Sequence, residues 1–520
     1  MRRLLLLPLM LPAALAAQRP VSASPVAKRT MPSEASVPSA MREIREADLK
    51  RDLYAMAAPA MRGREGGTND ELRASIWVAD QYKKIGLAPA GDDGTWFQWF
   101  TITRTRVSVP ASRVTIGGQT KGLYGDVIPL ATVPTEARGS VLWLADAADT
   151  TTDVKGRIVA TMLKAPAPGT VRQWSYPTPM RFATAAIQST VGALSRRGAA
   201  VILLVASAPV DSFFDGLAVQ RARGDYDVDH ATPRAAGGSD RIAPVPVLDG
   251  ANASTPTFVV RAAMRTLLQQ PGTEVAMSIR LERFDAPSVN VIGVLRGTDP
   301  KLRDEYVLYS SHQDANGVRL LVPGDSVLAG ADDNGSVSVA QFAAARAFVK
   351  QRPKRSVLFV HHGSEERGLL GSRYHSAHPV VPIGQIVAVL NGDMIGRNNP
   401  DSAALLGTQP PHRNSNALVA AALRANALTG KFVLDTVWDR PTHPEGWYFR
   451  SDHVPYVRVG VPALMWTTNL HDDYHTAGDI PERIDYAKLT RMAQWMYLTG
   501  WFVANAPQRP GVDAGFKLER

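Results

Sequence analysis

The sequence predicts an α/β fold: a mainly parallel, mixed sheet between two layers of helices, with a β-rich domain inserted into it. Three observations carry that reading. Hydrophobic, β-branched runs recur between Tyr306 and Arg397, as YVLYSS (306–311), SVLFVHH (356–362) and IVAVLN (386–391). Continuous apolar runs of this length suit strands buried on both faces, the usual condition of a parallel sheet. The alanine-rich stretch 340–350 lies between the first two runs, where a crossover helix must pass. Between about 120 and 280 the texture changes, and short apolar runs such as SVLWLAD, RIVATML and AAVILLVA alternate with Gly, Pro and Asp turns.

Taken in order, residues 1–17 read as a signal peptide. Two arginines precede an apolar run too short to span a bilayer, and Ala14-Leu15-Ala16 offers a small-residue cleavage site. The expected location is periplasmic or secreted, with no stable membrane insertion. Residues 18–42, rich in Ala, Ser, Pro and Arg, read as a leader or linker. The segment 43–119 opens the main domain with an amphipathic stretch near 43–56, a glycine-rich turn region at 58–71 and a helix over about 70–86. That helix is expected to present Leu72, Ile76, Ala79 and Tyr82 on one face. Residues 120–284 form the insert, with a helix at 180–194 and an exposed loop at 221–240. The triplet Arg223-Gly224-Asp225 in that loop reads as a coincidence of letters. Residues 285–505 complete the main domain, with helices at 340–350, 414–429 and 486–503 and a strand at 459–468. Residues 506–520 read as a loose tail.

Composition narrows the function. The 520 residues carry 58 Lys and Arg against 48 Asp and Glu, and that excess is not gathered into a tract. Nucleic-acid binding needs a concentrated basic patch and is excluded on that ground. There is no cysteine, so neither a disulfide framework nor a lipobox cysteine for acylation is expected.

Each apolar run ends in polar and acidic residues. His312 and Asp314 follow the first, Glu365 and Glu366 the second and Asp393 the third, while Asp332 and Asp333 lie in the glycine-rich loop between the first two. Ligands of open parallel sheets bind beyond the carboxyl ends of the strands, where these clusters fall. Imidazoles together with carboxylates suit zinc, a borderline ion that tolerates mixed nitrogen and oxygen ligands.

The ordered set His312-Gln313-Asp314, Gly330-Ala331-Asp332-Asp333-Asn334, Ser364-Glu365-Glu366, Asn391-Gly392-Asp393 and Tyr474-His475-Thr476 resembles the M28 family of zinc exopeptidases. In its secreted bacterial members a protease-associated domain is inserted, and DVKGRIV (153–159) resembles part of one. The resemblance implies a three-layer zinc-exopeptidase domain that holds two zinc ions. Asp333 would bridge them, His312 and Asp393 would complete one set, and Glu366 and His475 the other. It further implies a cis bond between Asp333 and Asn334. Glu365 would act as general base on a bridging water, Tyr474 would donate to the tetrahedral intermediate, and Asp314 would orient His312. Gln313, in the middle of the first motif, and Val337, after the motif serine, depart from the family texture without removing a ligand.

The implied activity is release of N-terminal residues from peptides, with self-association left open. The competing readings are a carboxypeptidase or dipeptidase, a single-zinc glutaminyl-cyclase-like transferase and a non-catalytic peptide-binding ectodomain. A carboxypeptidase would need a basic clamp, for which Arg373, Arg397, Arg440, Arg450 and Arg458 are available. The chain has neither HExxH nor a convincing GxSxG elbow.

Overall fold

The computed structural model describes residues 37–163, 187, 190–228, 255–319, 326–443 and 445–519. The signal peptide and most of the leader lie outside the described residues, as do residues 229–240 of the expected loop and most of the first half of the helix at 180–194.

Ten strands form the main sheet: β1 (Ala88–Pro89), β2 (Phe97–Val107), β3 (Asp225–Val228), β4 (Leu281–Leu295), β5 (Tyr306–His312), β6 (Ser356–His362), β7 (Ile386–Gly392), β8 (Ser402–Leu406), β9 (Val433–Leu434) and β10 (Ala463–Thr467). Their spatial order is β9-β8-β10-β7-β5-β6-β4-β2-β3, with β1 paired to β4. The centre, β10-β7-β5-β6, is parallel, and antiparallel strands flank it on both sides. The expected mixed, mainly parallel sheet is thus parallel at its centre, where the three apolar runs and β10 lie, and again between β8 and β9 at one edge, and antiparallel elsewhere.

Register places the candidate residues. Tyr306 pairs with Ser356 and His312 with His362, so β5 and β6 end level. Asn391 stands opposite Ser310, which brings the end of β7 to the same rim. Loops leaving these strands must emerge side by side.

Helices α1 (Glu46–Met56), α2 (Asn69–Ile85), α3 (Val337–Lys350), α4 (Leu370–Ala377), α5 (Asn416–Leu428), α6 (His453–Arg458) and α7 (Tyr486–Asn505) cover the sheet. One large apolar core draws on α1, α2, α3, α5 and α7 together with Val307, Tyr309, Phe359 and Leu390. Residues of α6 join a second core that contains Leu308, Leu358, Val360 and Val389. Neighbouring residues of a strand point to opposite faces, so Val307/Leu308 and Phe359/Val360 serve both cores. In α3 the buried Ala340, Ala343, Ala344 and Ala347 let the helix lie close to its neighbours.

Three local expectations are corrected. Helix α2 buries Glu71, Ala74, Ser75, Val78, Ala79 and Tyr82, while Ile76 is 49% exposed. The face was misjudged because its inward positions include two polar residues: Glu71 accepts from Ser288 and Ser364, and Ser75 Oγ accepts from Gln313. The tail is docked rather than loose, since Phe516 and Leu518 pack on buried residues and Glu519 reaches His412. Residues 225–228, expected in an exposed loop, form strand β3 along the edge of β2.

The chain leaves the main sheet at Val107, returns to it briefly as β3 and rejoins it at Leu281, the register partner of Val107. Between them lies a second sheet of eight strands. In spatial order these are Gln119–Lys121, Arg113–Ile116, Glu274–Ile279, Thr135–Leu144, Ile158–Met162, Val201–Val205, Thr257–Val260 and Val127–Pro129. Separate apolar cores cover its two faces. No helix among the described residues is long and apolar enough to cross a membrane.

Candidate metal centre

Five distant side chains meet at the carboxyl rim of β5, β6, β7 and β10. One ligand atom each from His312, Asp333 and Asp393 falls within 4.8 Å of the others, and the same holds for Asp333, Glu366 and His475. Asp333 belongs to both groups. Its Oδ1 lies 3.4 Å from His312 Nε2, and its Oδ2 lies 3.0 Å from His475 Nε2. His475 Nε2 is also 3.1 Å from Glu366 Oε2. The Asp333–Asn334 peptide is cis.

The backbone around Asp333 is firmly held. Asp479 accepts the amides of Asp332 at 2.8 Å and of Asp333 at 3.0 Å. Asn334 donates to the Gly392 carbonyl at 2.9 Å, tying this loop to the end of β7. Buried Arg64 donates to the carbonyls of Met56, Gln313, Ala329 and Gly330, so one side chain spans the loops on either side of the site. Burial pulls its guanidinium down to about 10, which leaves it charged at neutral pH. Asp479 and Arg64 are roles the sequence reading missed. Their local sequences, AGD and RGRE, carry no periodic signal.

Asp314 holds the neighbouring turn. Its carboxylate accepts the amides of Glu365 at 2.9 Å and Glu366 at 3.2 Å. His312 Nδ1 is 3.2 Å from the Asp314 carbonyl and 3.6 Å from its carboxylate, so the main chain makes the shorter contact. Asn316 donates to Glu366 Oε1 at 2.7 Å and fixes that carboxylate from the other side. Glu365 is buried, with Oε2 at 3.6 Å from His312 Nε2. Tyr474 stacks on His475 with ring centres 3.7 Å apart, and its hydroxyl accepts from Arg450 at 3.0 Å.

The electrostatics suit a cationic guest. Burial raises the Asp393 carboxyl, and the charge of Asp333 raises it further. Burial would lower the His312 imidazole, but Glu365, Asp314, Asp333 and Asp393 together lift it well above its ordinary value. Burial opposes ionisation of Asp333, yet hydrogen bonds from His312 and His475 hold it below the carboxylate range. The cluster thus retains protons to offset crowded negative charge, and a divalent cation offsets the same charge without them. His312 Nε2 is buried and faces only carboxylates, Asp333 at 3.4 Å and Glu365 at 3.6 Å, as befits a nitrogen aimed at a shared cation position. The donor set therefore fits zinc.

Comparison with known proteins agrees with this geometry. Residues 290–499 match the model of Peptidase family M28. A probable zinc metalloprotease from Pyrenophora tritici-repentis is 25% identical over 265 residues, 44% of this chain and 59% of that protein. Leucine aminopeptidase 1 from Penicillium rubens is 26% identical over 221 residues, 40% of this chain and 55% of that one. The chain thus spans less than two thirds of the length of these curated relatives. The aminopeptidase from Aneurinibacillus sp. strain AM-1 superposes with a TM-score of 0.54 at 16% identity, covering 91% of this chain and 97% of that one. BSAP, a zinc aminopeptidase from Bacillus subtilis, gives 0.55 at 16% identity, with coverage of 93% and 100%. At that identity the structural likeness carries the fold. The region that brings His312, Asp333, Glu366, Asp393 and His475 together belongs to peptidase family M28.

Proposed function

We propose that this protein is a secreted or periplasmic zinc aminopeptidase that holds two zinc ions and removes N-terminal residues from peptides. The observation that carries the reading is the pair of ligand triads sharing Asp333. His312, Asp333 and Asp393 would hold one ion, and Asp333, Glu366 and His475 the other. Bound there, the ions supply Lewis-acid polarisation of the scissile carbonyl and a water acidic enough to react at neutral pH.

The chain's own groups do the rest. Glu365 takes a proton from the attacking water at its carboxylate and delivers it to the departing amine. Tyr474 donates its O–H to the oxygen that gains charge. Asp314 sets the turn that aims Glu365, through the two amide bonds to that turn. The second sheet forms the core of an inserted domain of the protease-associated type.

Release from the amino end is favoured because three of the five candidate clamps for a terminal carboxylate are engaged by acidic side chains of the chain itself. Arg373 pairs with Asp227 at 2.8 Å, Arg397 with Asp473 at 2.5 Å and Arg450 with Glu445 at 3.0 Å. The test is a mass-resolved digestion of peptides with free and blocked ends, before and after chelation and zinc return. Release abolished by N-acetylation and by chelation is the expected result. Release abolished instead by C-terminal amidation would make the enzyme a carboxypeptidase.

A further inference from the structure

The residue next to Glu366 is a buried guanidinium, Arg367, and it shares its acidic partner with a second arginine far away in the chain. Arg367 Nη2 donates to Glu65 Oε1 at 2.7 Å. Arg223 Nη1 lies 3.2 Å from the same Glu65 oxygen. One carboxylate therefore holds two arginines, whose side chains are only 7% and 17% exposed. The Tyr226 ring completes the enclosure, 5.4 Å from the Arg367 guanidinium. Gly224 makes the approach feasible. Its φ is +73°, and a Cβ there would strike the Thr105 carbonyl and Arg106. Arg223-Gly224-Asp225, read in the sequence as a coincidence, is thus the joint that carries β3 onto the edge of β2 and aims Arg223 at Glu65.

Arg367 has other acids available. It adjoins Glu366 in the chain, and that carboxylate is oriented by Asn316 at 2.7 Å and lies 3.1 Å from His475. Glu366 can serve a cation only if this neighbouring charge is drawn elsewhere, because a guanidinium binds a carboxylate strongly in a fork geometry. We propose that Glu65, fixed by Arg223, is a positioning residue that keeps Arg367 turned away from Glu366 and leaves that carboxylate free to bind metal. This rests on the reading of Glu366 as a ligand.

The test is competitive zinc titration of the full-length protein against a chromophoric chelator, with thermal melts alongside. In Glu65→Gln the weaker of two zinc affinities is expected to fall about tenfold. The double variant Glu65→Gln/Arg367→Met is expected to regain it, because the competing charge has gone. Arg223→Ala is expected to show a smaller loss in the same site. Unchanged affinity in Glu65→Gln, or no recovery in the double variant, would overturn the proposal. Should Glu65→Gln fail to fold, Arg223→Ala and Arg223→Lys decide: a loss in the first that the second restores supports it, and wild-type affinity in both overturns it. A wild-type protein that binds one zinc, or a Glu366→Gln variant that still binds two, would instead overturn the ligand assignment.

Discussion

Arg450 donates a hydrogen bond to the Tyr474 hydroxyl at 3.0 Å, and its Nη1 pairs with Glu445 at 3.0 Å. Arg450 also lies over the Trp447 ring, with 4.7 Å to its centre. A phenol oxygen that accepts from a fixed cation cannot turn its own proton toward that cation. The proton must point elsewhere, and the proposed use is the developing oxyanion.

Tyr474→Phe is therefore expected to lower kcat about 100-fold with little change in KM, the size of losing one oxyanion donor. Arg450→Met should produce part of the same loss by freeing the phenol to rotate. Steady-state kinetics on an aminoacyl anilide measures both. Wild-type kcat in Tyr474→Phe would remove that residue from the reaction.

Glu365→Gln keeps the shape of the turn and removes the base. Asp314 still receives the amides of residues 365 and 366, so the metal donors should stay in place. The expected outcome is a loss of about 100- to 10,000-fold in kcat with zinc content unchanged. Elemental analysis beside single-turnover kinetics separates the two effects. A large drop in zinc would mean that Glu365 is itself a ligand.

Asp333→Ala removes the one carboxylate common to both triads. Both ions should be lost together, and not one. Isothermal titration with zinc reads this directly, and the expected result is that neither site fills at concentrations that saturate the wild-type protein. Asp393→Ala or His475→Ala should weaken one ion far more than the other.

Much of this site was legible because it lies where regular structure ends. The β-branched runs at 306–311, 356–362 and 386–391 announced buried strands, and the motif residues follow them directly. The lettering of Asp332 and Asp333 separates them poorly, yet their surroundings differ. Asp332 receives the Gly396 amide at 2.7 Å and faces His471, whereas Asp333 faces His312 and His475. What stayed hidden depends on pairs far apart in the chain. Glu71 looks like a solvent-facing residue of an amphipathic helix until Ser288 and Ser364 reach it. Arg223 sits in polar sequence and finds Glu65 only because β3 adds to a distant strand. Such contacts leave no local period, so a face or a loop judged by hydrophobicity alone was misplaced.

A last prediction concerns stability and lies away from the metal donors. His412 is buried between two carboxylates, with Nδ1 at 2.9 Å from Asp439 and Nε2 at 2.6 Å from Glu519. Its ring stacks on Tyr448 at 4.0 Å. Nearby His453 is brought down to about 3 by burial and stays neutral. Asp439 also receives the amides of Gly407, Thr408 and Gln409, so it is fixed whether or not His412 is charged. Burial alone would lower the His412 imidazole, but Asp439 and Glu519 raise it above its ordinary value. A raised folded-state pKa stabilises the fold below the unfolded value, near 6.5, and the gain is lost as pH climbs through the folded value. Glu519→Gln is expected to cost about 1 kcal/mol or less at pH 6, since Glu519 is partly exposed, and to matter less at high pH. Urea midpoints of the two proteins across that range should converge as pH rises. Midpoints that stay a constant distance apart would mean that Glu519 holds the docked segment independently of the charge on His412.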